Sequence, residues 1–409
     1  MEGLEQAIAR RLEEFSRFTA TPGQGCTRLP FSKETRAAAE YLKGEMAQLG
    51  LEVWEDPAGN VFGRLPGRNR ELPCMMCGSH LDSVVSGGNY DGASGIMCAL
   101  EIARRLDREK LERDFVVCAL MDEEGCRFGG GYFGSKAIMG EIDPEYCRQV
   151  NDPEGVSVAQ QMVSYGLDPE RVGQAAWAPG SIGYYLEIHP EQGPILDQKG
   201  IPLGLVTGIV GIRRYEVTIL GQSNHAGTTP MDQRRDALAG AARVFLFVEN
   251  LARERGDCVA TVGRIQAFPG SYNIIPGRVE FALELRALER ERLEELEGAL
   301  NQALEGIKQS GLDAQLAPTS ASEPVRLSTA LLEKNRETCR RLGLPFLELA
   351  SGAGHDAQII AGGAQAAMLF VPSRGGLSHC PQEWSDCAHL AQATQVGLEL
   401  IHTLQQPET

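Results

Sequence analysis

Four short apolar runs, at residues 73–78, 115–121, 184–188 and 366–371, constrain the fold of this chain more than any other feature. Each has the length of a strand and an almost unbroken apolar character, which reads as a strand buried on both faces. Strand-like segments at 51–54 and 60–63 precede them. Helical stripes lie among them: Leu4, Ile8, Leu12 and Phe15; then Tyr41, Met46 and Leu49, between a start signal at Ser32 and a stop at Gly50; then Ile96, Leu100 and Ile102. That order predicts an α/β fold, a mixed sheet covered by helices on both faces.

The texture changes near residue 211. Residues 213–220 alternate polar and apolar, as a strand with one solvated face does. A helix at 236–255, strands at 258–267 and 273–286, and a helix with the stripe Leu293, Leu296, Leu300, Leu304 and Ile307 follow. Strand, helix, strand, strand, helix is the order of a small ferredoxin-like α+β sandwich. From about 327 the first pattern resumes, with strands at 346–349 and 366–371 and a helix at 386–404. The sequence therefore predicts a discontinuous domain, 1–212 and 327–409, interrupted by an inserted one, 213–326.

The 409 residues are 43% hydrophobic and 23% charged, a composition that folds. A formal charge of −16 repels phosphate backbones and anionic membrane surfaces, so neither nucleic acid nor membrane is an expected partner. No run reaches the ~18–20 apolar residues of a membrane span, and the first 15 residues lack the apolar core of a signal peptide, so a cytoplasmic location is expected. Eleven cysteines, an odd number, argue against a disulfide framework. Cys74 and Cys77 have CxxC spacing but lie within an apolar run with no second pair, which fits buried thiols better than zinc or redox chemistry.

The chemistry gathers where the apolar runs end. His80 closes the first, at the carboxyl end of a strand, where open α/β sheets build their sites. Asp82 lies two residues on and would accept a hydrogen bond from the second ring N–H of His80, fixing its tautomer. Asp91 precedes a helical pattern and reads as a carboxylate at a helix start. Asp122, Glu123 and Glu124 follow the second run; adjacent carboxylates leaving a buried strand call for a cation, although two acids on a solvated loop are common. His189 follows the third run, and His379 the loop after the fourth. A lone histidine at a strand end is more often a satisfied core residue. Three of only seven histidines at such points, with Asp91 and Glu124, form an N/O donor set suited to zinc, or to manganese. The glycines at 129, 131 and 134 satisfy G-x-G-x-x-G, but the strand ends well before them and three acids would face a pyrophosphate, so close packing explains them better.

Taken together, GSHLDS (78–83), GGNYDG (87–92), MDEEGCRF (121–128), EIHPEQGP (187–194), GQSNHAGTTPMDQRRDA (221–237), GAGHDA (352–357) and SRGGLSH (373–379) resemble the hydantoinase/carbamoylase-type amidases. These include N-carbamoyl-L-amino-acid hydrolases, allantoate amidohydrolases and β-ureidopropionases, within the two-metal aminoacylase/carboxypeptidase superfamily. The resemblance covers nearly the whole chain. It implies two divalent ions per subunit (zinc, or manganese, cobalt or nickel), with Asp91 bridging, His80 and His189 completing one site, and Glu124 and His379 the other. It implies Glu123 as general base, assisted by Asp82, and His225 as the histidine that crosses a homodimer interface to polarise the scissile carbonyl. Asn273 and Arg286 would bind a substrate carboxylate, and Gln192 and Gly354 would line the pocket. The insertion becomes a dimerisation and lid domain whose closure completes the site. Pro190, Glu284 and Cys380 depart from the family pattern without removing a ligand. The expected reaction is hydrolysis of a carbamoyl or ureido C–N bond on a small carboxylate, foremost an N-carbamoyl-L-amino acid. Allantoate hydrolysis, aminoacylase or peptidase activity, and a non-catalytic metal-binding protein are the competing readings.

Overall fold

The computed structural model describes residues 3–405; the first two and last four residues of the expected outer domain lie outside it. Thirteen strands occur among these residues: β1 Glu52–Glu55, β2 Val61–Leu65, β3 Cys74–His80, β4 Phe115–Leu120, β5 Ile182–Pro190, β6 Leu203–Ile209, β7 Gly211–Leu220, β8 Cys258–Phe268, β9 Arg278–Ala287, β10 Asp313–Ser322, β11 Val325–Arg326, β12 Phe346–Ser351 and β13 Gln365–Val371. They form two sheets. The larger runs β1-β2-β4-β3-β5-β13-β6-β11, with β12 also on β6, and the smaller runs β10-β7-β9-β8.

The chain divides into two compact units, one of residues up to Thr207 and from Leu327 onward, the other Gly208–Arg326. The first edge falls between Thr207 and Gly208, within β6, whose last residues Gly208 and Ile209 pair with Arg326 and Val325 of β11.

In the larger unit β4, β3, β5 and β13 are consecutive parallel neighbours, flanked by antiparallel pairings to β2 and β6. Every residue of β3 and β4 is buried, as continuous apolar strands require. The helix Ala93–Arg105 packs on β3 through Gly95, where a Cβ would come within 2.5 Å of the Ile188 carbonyl oxygen. Helices Leu4–Phe15 and Cys387–Leu404 pack against it in turn. The helix Lys33–Gln48 starts where Ser32 accepts the Thr35 N–H at 3.1 Å, a side-chain N-cap.

The smaller unit is an antiparallel sheet with strand order first-outside pattern β10-β7-β9-β8 and connections β7, helix Ala237–Arg255, β8, β9, helix Arg290–Gln309, β10. Alternate residues of β7 and β9, including Val217, Ile219, Phe281 and Leu283, pack with Leu293, Leu296, Leu300 and Leu304 in one core. Two features differ from the sequence reading. The second long strand starts at Arg278, because residues 273–277 turn: Gly277 N–H donates to the Phe268 carbonyl. The fourth strand, β10, has little apolar alternation and contains Pro318, both tolerable because it is an edge strand. Among the described residues no helix is long and apolar enough to cross a membrane.

Candidate metal centre

The parallel strands deliver their carboxyl ends to one edge of the larger sheet. His80 ends β3 in register with Leu120, so Asp122, Glu123 and Glu124 emerge beside it from β4. His189 lies next to the end of β5, paired with Phe370 of β13, and the chain beyond β13 leads to His379. Asp91 comes from the other direction, one residue before the Gly92 that caps the helix Ala93–Arg105. Gly92 has φ +63°, and a Cβ there would sit 2.5 Å from His80 Cε1, so only glycine lets the Asp91 turn approach the imidazole.

Two triads of donor atoms result, each with all its atoms within 4.8 Å of one another: His80, Asp91 and His189; and Asp91, Glu124 and His379. Asp91 is common to both. Its Oδ1 lies 3.1 Å from His80 Nε2 and 3.0 Å from His189 Nε2, and its Oδ2 lies 3.1 Å from His379 Nε2. Glu124 Oε1 is 3.4 Å from His379 Nε2. Glu123, buried, forms a further close group with His80 and Glu124. Gln192 Nε2 donates to Asp91 Oδ2 at 2.8 Å and lies 3.1 Å from His379 Nε2.

The donor set fits divalent cations. His80 Nδ1 faces the Asp82 carbonyl at 3.2 Å and His189 Nδ1 faces the Pro190 carbonyl at 2.9 Å. A carbonyl only accepts, so each Nδ1 carries the proton, and in a neutral ring Nε2 is left with its lone pair directed at Asp91. Two imidazole lone pairs and a carboxylate within about 3 Å repel unless a positive charge sits among them. Glu124 Oε1 is also buried without a hydrogen bond, an acceptor awaiting a partner.

The electrostatics carry the same mark. With no cation among them the rings themselves must carry the positive charge: burial favours a neutral Asp91, but a protonated His189, and hydrogen bonds from His189, His379 and His80 in their protonated forms, overcome it and hold the acid well below the usual range. Burial pushes Glu123 well above the usual carboxylate range, with His80 opposing. Burial and then Asp91 push Glu124 up to about 7. The hydrogen bond to Asp91 draws His379 up to about 9.

Asp82 faces His80 and also holds the acidic segment. Its carboxylate accepts the main-chain N–H groups of Glu123 at 3.0 Å and Glu124 at 3.2 Å, and Oδ1 is 3.6 Å from His80 Nδ1. It therefore fixes the acidic segment, while its carbonyl orients the imidazole. The three glycines 129–131 all have positive φ, and a Cβ on Gly131 would overlap the Glu123 carbonyl oxygen, so the run packs a tight loop beneath the acids. Gly354 lies against the Tyr132 hydroxyl, where a Cβ would overlap it. Cys74 and Cys77 are free and buried, and burial pushes the Cys74 thiol up to about 12.

His225, Asn273 and Arg286 lie in the smaller unit and are described there alone. His225 Nδ1 accepts the Gly227 N–H at 3.0 Å, and the Asn273 carbonyl accepts the Ala226 N–H at 2.9 Å beside an isolated His225–Ile274 bridge, so the two segments lie side by side. Arg286, in β9, donates through Nε to Glu284 at 2.6 Å.

Three buried residues near the centre escaped the sequence reading. Glu187 accepts from the Ser79 hydroxyl at 2.7 Å and the Ala357 N–H at 3.0 Å. The ring of His355 meets that of His189 edge-on at 4.5 Å, and its Nε2 lies 2.9 Å from Ser351 Oγ. Glu383 bonds the main chain of both Asp91 and His379. Glu187 at an alternate position of an apolar strand was the one visible signal; the other two sit in loops.

Histidines and carboxylates gathered at the ends of parallel strands in a mixed α/β sheet define a metal-dependent hydrolase. The description of peptidase family M20/M25/M40 matches residues 76–403, and the chain belongs to that family. It is 39% identical to an N-carbamoyl-L-amino acid amidohydrolase of Geobacillus stearothermophilus, over 98% of both chains. It is 36% identical to an allantoate amidohydrolase of Bacillus subtilis, again over 98% of both. Among solved structures, a hydantoinase/carbamoylase family amidase from Burkholderia multivorans superposes with a TM-score of 0.91 at 32% identity, covering 98% of this chain and 97% of that one.

Proposed function

We propose that this enzyme hydrolyses the carbamoyl C–N bond of an N-carbamoyl-L-amino acid with two divalent ions per subunit, zinc or manganese foremost. The observation that carries the reading is the single carboxylate, Asp91, shared by two donor triads beside the buried Glu123. In this reading His80, Asp91 and His189 hold one ion, and Asp91, Glu124 and His379 the other. The ions supply Lewis acidity to the attacking water and the carbonyl. Glu123 accepts a proton from that water and returns it to the departing nitrogen. Water adds to the carbonyl carbon, the C–N bond breaks, and the amino acid leaves with carbamic acid, which decomposes to ammonia and carbon dioxide. Gln192, beside Asp91, orients the carbamoyl group, and Gly354 makes room in the pocket wall for the Tyr132 hydroxyl. From the family resemblance we also assign carbonyl polarisation to His225 and carboxylate binding to Asn273 and Arg286, whose planar donors suit that group.

The unit 208–326 is proposed as the dimerisation and lid domain. Its outer strand β8 leaves Val259 56% and Ile265 48% exposed, and Leu246 on the adjoining helix is 59% exposed, the profile of a sheet edge awaiting a second copy. The eleven free cysteines support a reducing, cytoplasmic setting.

A second reading, allantoate hydrolysis, is favoured by the 36% identity to an allantoate amidohydrolase over the same span. Ammonia release from N-carbamoyl-L-amino acids and from allantoate, with metal stripped and restored, tests both. Faster turnover of allantoate replaces the first reading by the second; hydrolysis of N-acyl amino acids alone, or inertness of the metal-loaded enzyme toward all of them, overturns both.

A further inference from the structure

We propose that Glu383 is a positioning residue that builds the second ion site by fastening its two remote halves together, an inference that rests on the two-ion reading above. Asp91 and His379 are far apart in sequence and arrive on different loops. Glu383, four residues after His379, has its side chain between them. Its Oε1 accepts the main-chain N–H groups of Tyr90 and Asp91, both at 3.0 Å. Its Oε2 accepts the Ser378 hydroxyl at 2.9 Å and the His379 N–H at 3.3 Å. One carboxylate thus has one oxygen on each loop, and Glu383 is only 4% exposed.

The surroundings are shaped for it. A Cβ at Gly88 would overlap the Glu383 carboxylate, so the glycine of the Asp91 loop opens the space that it fills. Glu383 N–H donates to the Cys380 carbonyl at 3.1 Å, closing the turn that returns the side chain toward His379.

The two proposed ion sites depend on this bracket unequally. His80 and His189 sit on β3 and β5, are each 1% exposed, and are fixed by the sheet. His379 lies on a loop with its side chain 47% exposed and a φ of +56°, a conformation that a non-glycine residue keeps only when its surroundings impose it. The hydrogen bonds to Ser378 and His379 are what Glu383 contributes to that imposition. The His80–His189 site needs only Asp91, which is also held by the start of its helix.

Glu383→Gln is the direct test. An amide has one acceptor oxygen where the carboxylate has two, so it must release either the Tyr90–Asp91 amides or the His379 loop. Zinc or manganese ions are titrated into the metal-stripped full chain and bound equivalents and affinities measured, with His379→Ala as the reference for loss of the second site. The expected result is one equivalent bound as in the unmodified chain and a second weakened ~10–100-fold, the range for losing a residue that orients a ligand. Excess metal should then restore kcat with KM unchanged, which general loss of stability would not produce. Ser378→Ala removes one bond on the His379 side and leaves the Asp91 side intact; it should weaken the same equivalent by a smaller factor, and it serves should Glu383→Gln not fold. Two equivalents with unaltered affinities in both variants, or equal loss of both, would overturn the inference. Uptake of fewer than two equivalents by the unmodified chain would overturn the two-ion reading itself, and this inference with it.

Discussion

Replacing Glu123 by Gln separates the proposed base from the centre around it. The segment is fixed by its main chain: the N–H groups of Glu123 and Glu124 donate to Asp82, and the Glu123 carbonyl accepts the Tyr132 N–H at 3.0 Å. None of these bonds uses the Glu123 carboxylate, and glutamine has the same length, so the backbone has no reason to move. The five proposed ligands are untouched, so metal content should stay at the level of the unmodified chain. Burial already favours the neutral form of Glu123 when no metal is bound, and glutamine is its neutral isostere, so the metal-stripped protein should melt no earlier than before. What is lost is proton transfer, which contributes about 10²–10⁴-fold, or about 2.7–5.5 kcal/mol of barrier at ~1.36 kcal/mol per tenfold. Steady-state ammonia release, metal analysis and thermal melting on one preparation check the three parts. We expect kcat lowered at least ~100-fold, KM within a few-fold, full metal and an unchanged or higher Tm. Near-normal kcat refutes the base assignment; metal lost along with activity refutes the separation of base from ligands.

Asp91→Asn, which weakens the one carboxylate common to both triads, should deplete both bound equivalents, whereas His379→Ala should deplete one; elemental analysis after dialysis decides, and equal retention in the two variants would break the shared-carboxylate reading. Gly131→Ala places a side chain at φ +60° and against the Glu123 carbonyl, so kcat should fall ~10–100-fold with metal retained, as for a small misplacement of a catalytic group; unchanged turnover would show that the loop does not set Glu123. Glu101, fully buried, pairs with Arg11 and Arg105 and with Arg104 at 2.9 Å, and Glu101→Gln removes the carboxylate on which these three guanidinium groups converge, although Arg11 keeps Glu45 at 2.7 Å. Urea unfolding should record a loss of about 3–5 kcal/mol, and a loss under about 1 kcal/mol would contradict the cost assigned to breaking a buried ion cluster.

The proposed ligands were legible because two signals coincide in this fold. A buried parallel strand appears in sequence as an apolar run, and the residue that ends the run is the one delivered to the sheet edge. His80, Glu123, Glu124 and His189 are all read that way, and the architecture that the apolar runs require is what brings them together. The polar edge strand β10 was illegible for the opposite reason: it buries little, and burial is what writes a period into a strand.

The second task of Asp82 and the silence of Glu383 have a common physical cause. Spacing by two predicts a shared direction only while the strand continues; β3 stops at His80, and beyond it the Asp82 carboxylate, still 3.6 Å from His80 Nδ1, accepts the amides of Glu123 and Glu124. Glu383 also spends its carboxylate largely on main-chain N–H groups. Every residue other than proline offers such a donor, so an acid that binds the backbone leaves no complementary side chain to find in the sequence. Side chains that bind ions announce themselves by residue type, because few types do that chemistry. Those that hold such loops in place become visible only once the loops have been brought together, which is why the ligands proposed for the second site were readable and the residue proposed to assemble them was not.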